Sequence, residues 1–138
     1  MKLVSLLVCF SLIGVVSADL LSRSLTWDLQ VDDAAYAIYW DTAEPTSMSV
    51  LETVTFTLRL EGPDIISFEL VFRVSSLPAG ASYSDVVLTV VGDGAHTPDV
   101  NGEVITALGM TGGVKTISFE LAVDYTGAWQ FIFVMQTP

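Results

Sequence analysis

The chain reads as an all-β protein, an antiparallel β-sandwich of jelly-roll or immunoglobulin-like type with about eight or nine strands. Three observations predict this. Apolar and polar residues alternate with a period of two through most of the chain, which lays side chains on opposite faces of extended backbone. Clusters of Gly, Pro, Asp and Asn recur at short intervals between these segments. Beyond the first eighteen residues no stretch keeps a helical period.

Residues 1–18 have the build of a secretory signal, with Lys2 as the positive start and Leu3 to Val16 as an apolar core. Val16-Ser17-Ala18 supplies the small or β-branched residues expected before a cut. The run is shorter than the roughly 20 apolar residues of a membrane-spanning helix, so cleavage after Ala18 is expected. Residues 19–138 then form one domain, with no internal repeat or boundary.

The stretch Asp19–Asp32 opens that domain as a long two-faced strand. Leu21, Arg23, Leu25, Trp27, Leu29 and Val31 fall on one face, and Leu20, Ser22, Ser24, Thr26, Asp28 and Gln30 on the other. With no strand before it, this segment must find its sheet later in the chain or in another subunit. Arg23 interrupts the apolar face. It is expected either to meet a carboxylate in a buried groove or to sit at a solvent-facing rim of its own sandwich.

Ala35–Trp40 is a second strand, followed by a turn-rich loop through Pro45. Met48–Leu60 alternates, with Val50, Val54, Phe56, Leu58 and Leu60 inward, and Ile66–Ser75 returns with Ile66, Phe68, Leu70, Phe72 and Val74 inward. Glu61-Gly62-Pro63-Asp64 between them predicts a hairpin. Val86–Val91 is apolar at nearly every position, as in a strand covered on both faces. Gly92–Gly102 is a long polar connection, Val104–Leu108 a short apolar strand and Gly109–Gly113 a turn. Val114–Tyr125 alternates again, and Trp129, Phe131, Phe133 and Met135 line one side of the last strand. No hydrophobic tail follows, so no stable membrane anchor is expected after signal cleavage.

Composition narrows the function. Without the signal, four basic residues face sixteen acidic ones, a net charge of −12 against −11 for the whole chain. Nucleic acid and anionic membrane would both repel such a surface. The only cysteine, Cys9, lies in the signal, so packing, sheet pairing, metal or assembly must stabilise the secreted domain.

Catalysis finds little support. His96 is the sole histidine and lies in a glycine-rich loop with no nucleophile elbow in the chain, which favours an exposed loop residue over a general base. Gly112-Gly113-Val114-Lys115-Thr116 lacks both the Gly-Lys step and the helix of a phosphate loop, and reads as a turn. Carboxylates offer hard-cation chemistry. Asp93, Asp99, Asn101 and Glu103 stand close together in one loop and mark a candidate calcium site; the alternative is that they are solvated turn residues. Asp32, Asp33, Asp41 and Glu44 form a weaker acidic cluster around the second strand.

A signal, a terminal strand and a cysteine-free acidic sandwich ending in an aromatic strand resemble secreted prokaryotic fibre subunits. These are the camelysin/TasA type, the archaeal bundling pili and the cannulae. Locally, Asp32-Asp33-Ala34-Ala35-Tyr36-Ala37-Ile38-Tyr39-Trp40 is similar to an acidic Tyr-Ala-Ile-x-Trp stretch of cannula subunits. The small-residue motif that follows the signal in the camelysin group is missing here. The resemblance implies that residues 20–31 are a donor strand filling a groove in the next subunit, with calcium in acidic loops or between subunits. The expected function is therefore a homopolymeric structural subunit of an extracellular filament or cell-surface assembly, not an enzyme. Leu21, Leu25, Trp27, Leu29 and Val31 would form its interface. A monomeric secreted module binding carbohydrate or another surface ligand is the alternative, and a calcium-dependent hydrolase stands third. Mass spectrometry of the secreted protein should find Asp19 at the N-terminus; a product beginning at Met1 would remove the signal from this reading.

Overall fold

The structure, a computed structural model, describes residues 22–49 and 51–138. The expected signal at 1–18, the beginning of the leading strand with Leu21, and Val50 lie outside the described residues.

Among the described residues, ten strands build two five-stranded sheets packed face to face. They are β1 (Arg23–Val31), β2 (Ala37–Trp40), β3 (Ser47–Met48), β4 (Thr53–Glu61), β5 (Ile65–Ser76), β6 (Val86–Val90), β7 (Gly94–His96), β8 (Glu103–Met110), β9 (Val114–Val123) and β10 (Gly127–Gln136). The first sheet runs β3-β1-β10-β5-β8 and the second β2-β4-β9-β6-β7. Every pairing is antiparallel except that of β1 with β10, which is parallel. The all-β sandwich expected from the sequence is thus what forms. Two short strands raise the count above the expected eight or nine: β3, and β7 inside the connection 92–102.

The alternation dictates the core. Leu25, Phe56, Leu58, Leu60, Phe68, Leu70, Phe72, Val74, Phe119, Leu121, Trp129, Phe131, Phe133 and Met135 are all buried between the sheets. Trp27 lies at one side of this layer and touches aromatic rings from both sheets. Its ring is 5.4 Å from Trp40 and 5.1 Å from Phe56 in the second sheet, and 4.8 Å from Phe131 and 5.8 Å from Phe133 in the first. Its indole nitrogen donates to the Pro45 carbonyl at 2.7 Å, which satisfies the one polar atom that the ring brings with it.

The expected hairpin of β4 with β5 does not form. β4 pairs with β2 and β9 in one sheet, while β5 pairs with β10 and β8 in the other. The turn between them crosses the core, as does every connection among the described residues except β6–β7. Both arrangements turn the same apolar faces inward, so alternation alone cannot choose between them. Tertiary contacts around the turn show what holds the crossing. Gly62 N donates to Gly113 O at 3.0 Å, and the Asp64 carboxylate accepts from Gly113 N at 2.9 Å. The β4–β5 and β8–β9 turns are thereby tied together, and Gly112-Gly113 belongs to a structural turn. A Cβ at Gly62 would stand 2.4 Å from the Tyr36 ring, so only glycine fits this approach.

Two expected faces are corrected. Ile66 is 99% exposed, because the β5 register shifts between Ile65 and Phe68 and a bulge turns its side chain outward. β6 is covered on one face only: Val86, Leu88 and Val90 are buried, whereas Val87 and Val91 meet solvent. Trp27→Ala should lower unfolding free energy by about 3 kcal/mol in urea titrations. Ile66→Ser, at a solvated position, should change it by less than about 0.5 kcal/mol.

Candidate functional site

β1 finds its complement within its own chain. From Arg23↔Gly127 to Val31↔Met135 it runs in register beside β10, while its other margin meets only β3, through Arg23↔Met48 and Ser24↔Ser47. The Leu25 amide reaches the Thr46 carbonyl at 2.9 Å and extends that second margin slightly. Leu25 is buried, and Trp27, Leu29 and Val31 pack half-buried against the core. The expected interface residues within the described range therefore line one slot, between β10 and the second sheet.

Arg23 does not sit at a solvent-facing rim. Its side chain is only 3% exposed, and its Nε donates to the Val123 carbonyl at 2.9 Å, reaching across to the end of β9. A buried guanidinium is tolerated here because backbone oxygen replaces water.

The far end of β1 is clasped to the end of β10. Asp32 N donates to Met135 O at 3.1 Å. The Asp32 carboxylate accepts from the Thr137 amide at 3.0 Å and from its hydroxyl at 2.9 Å. Residues 32–36 then reverse the chain in a tight turn, with Tyr36 N on Asp33 O at 3.1 Å and Ala35 N on the Asp33 carboxylate at 2.9 Å. Among the described residues, this turn links β1 covalently to the rest of the sandwich.

Of the candidate calcium ligands, Asp99, Asn101 and Glu103 share one folded loop, and the Asp99 and Glu103 carboxylates have partners within the protein. The Asp99 carboxylate accepts from the amides of Asn101 and Glu103 at 2.8 and 3.1 Å, folding the loop on itself. Glu103 pairs with Arg73 at 2.7 Å, and Asp93 lies 3.1 Å from His96 Nε2. Among the described residues no three His, Cys, Asp or Glu side chains converge as metal ligands. His96 is placed on β7 rather than in an irregular loop. The remaining pair, Arg59 with Glu61, is solvent-facing; the Glu61 carboxylate raises the Arg59 guanidinium above its ordinary value by hydrogen bond and charge.

A feature that sequence reading missed lies at the opposite margin of the first sheet. A cavity of about 390 Å³ opens between β8, at Thr106–Leu108, and the start of β9, at Lys115–Ser118, with the turn Val91–Asp93 as its third wall. Thr106 faces the core side of β8 and is 6% exposed, yet its hydroxyl has no hydrogen-bond partner among the described residues. The sole signal in the sequence was a threonine at an inward position of an apolar strand. No protein-family model and no curated protein matches the chain. No helix among the described residues is long and apolar enough to cross a membrane.

A buried hydroxyl with no partner among the described residues contributes little to stability, so Thr106→Val should raise unfolding free energy by about 1 kcal/mol in denaturant titrations. A loss instead would mean that the hydroxyl is satisfied.

Proposed function

We propose that the protein is a structural subunit of an extracellular filament or cell-surface assembly, built by donation of β1 to a neighbouring copy of the same chain. The observation that carries this reading is the seating of β1. The strand supplies part of the core, yet it lies toward the side of the sandwich, held along its full length by β10, met on its other margin only at its start by β3 and Thr46, and joined to β2 through the turn 32–36.

A strand held in this way can be exchanged without altering its contacts. Leu25, Trp27, Leu29 and Val31 meet the same partners whether the strand comes from their own chain or from the next. Leu25 is fully buried and Trp27, Leu29 and Val31 in part, so their burial contributes less than the roughly 6–12 kcal/mol that full burial of four such side chains would give before association costs. The closed and exchanged forms share that gain, so opening the hinge and the entropy of association set the balance between them. Exchange repeated head to tail, without closing on itself, gives an open filament. The high negative charge and the lack of a disulfide in the described domain suit a secreted repeating unit held by sheet pairing.

The second reading is a monomeric secreted binding module. It is favoured by the same strand, since β1 occupies the slot on its own β10.

One double variant separates the two. Asp28 and Ile132 are register partners on the outer face of the first sheet. In Asp28→Cys/Ile132→Cys protein, assembled and then oxidised, donation predicts a ladder of disulfide-linked species on a non-reducing gel, collapsing on reduction. A single monomer band, with no particles in electron micrographs, would leave the monomeric module standing.

A further inference from the structure

We propose that the free edge of β8 is a second self-association surface, at which two copies pair β8 to β8, antiparallel about a two-fold axis. This inference is independent of strand donation by β1.

β8 pairs with β5 on one side and, among the described residues, with no strand on the other. Val74 N donates to Gly102 O at 2.8 Å. The alternation of an antiparallel ladder then directs the backbone N–H and C=O of Ile105 and Ala107 away from β5, toward the open edge. At the start of the strand the edge is closed, because Asp99 N donates to Glu103 O at 2.9 Å. From Val104 to Met110 the strand contains no charged residue and no proline. Natural sheet edges are normally guarded by Lys, Pro or an inward charge. In a chain of net charge −11, this edge lacks every such guard.

The side chains point to the occupant. Ile105 is 50% exposed and continues a row with its register partner Val71, whose own partner is Val134, on the outer face of the first sheet. Pairing about Ala107 sets Ile105 of one copy opposite Gly109 of the other and extends that apolar row across the junction. On the inner side, the added strand brings its own Thr106 and Leu108 beside the cavity that Thr106, Leu108 and Ile117 line. The buried Thr106 hydroxyl then lies beside the junction, where the incoming strand supplies polar partners. A neutral edge also adds no like charge at the contact between two strongly acidic molecules.

Sedimentation of the purified protein over a range of concentrations tests the pairing. Ile105→Lys places like charges at the junction, and Ala107→Pro removes an outward N–H at an edge position that tolerates proline. Each should weaken dimerisation at least ten-fold while leaving the far-ultraviolet circular dichroism and melting transition nearly unchanged. Ala107→Cys should cross-link rapidly to a dimer under mild oxidation, and Thr55→Cys, exposed on the second sheet, should not. A wild-type protein monomeric at all concentrations would overturn the proposal, as would equal cross-linking of the two cysteine variants or unaltered association of both edge variants. Repeating the measurement with Asp28→Cys/Ile132→Cys oxidised as a monomer, so that β1 is locked on its own β10, keeps the outcomes apart. Dimers that persist there belong to the β8 edge; association that vanishes there belongs to β1 exchange and rejects the edge.

Discussion

The fold depends on β1 filling the side of the aromatic layer. Trp27 touches rings of both sheets, and it can do so only because the parallel ladder with β10 sets its height against Phe131 and Phe133. A large aromatic side chain contributes chiefly through the area it removes from water, with ring geometry adding a smaller increment. Leaving the slot empty would open Phe56, Phe131 and Phe133 to solvent together. The domain therefore requires a strand in that place, while the contacts themselves are indifferent to which molecule provides it.

Much of the architecture was legible because burial on one face imposes strict alternation. The inward sets of β1, β4, β9 and β10 follow directly from their sequences. Partner choice was not legible. The Glu61–Asp64 turn satisfies the same pattern as a hairpin or as a crossing, and the decision rests on Gly113 meeting Gly62 and Asp64 from a distant turn. The exposure of Ile66 follows from a single bulge, beyond which Phe68, Leu70, Phe72 and Val74 face inward as their alternation predicts. Val86–Val91 misled for a different reason: branched apolar residues suit extended backbone even where one face is wet, as at Val87.

The acidic residues teach a related lesson. Spacing brings Asp93, Asp99, Asn101 and Glu103 close together, and carboxylates in turns also draw nearby amides and cations. Asp99 closes its own loop and Glu103 meets Arg73 on the neighbouring strand, so each has a local partner. Asp32, assigned to a weaker cluster, instead fastens the two ends of the first sheet's parallel pair through Thr137. The cavity beside β8 left no pattern in the sequence beyond Thr106, since it arises where the β6 pairing stops at Phe119 and the start of β9 keeps β4 as its neighbour on one side only.

The parallel pairing of β1 and β10 has a mechanical consequence. The two strands run side by side in one direction, so traction on the front of β1 and the back of β10 pulls them past each other lengthwise. Their ladder is loaded in shear, with all its bonds resisting at once rather than parting one after another as in a zipper. Rupture under tension is governed by the unfolding barrier, and a sheared ladder makes that barrier steep. A thread of such units would bear strain along its axis while staying compliant to forces applied across it.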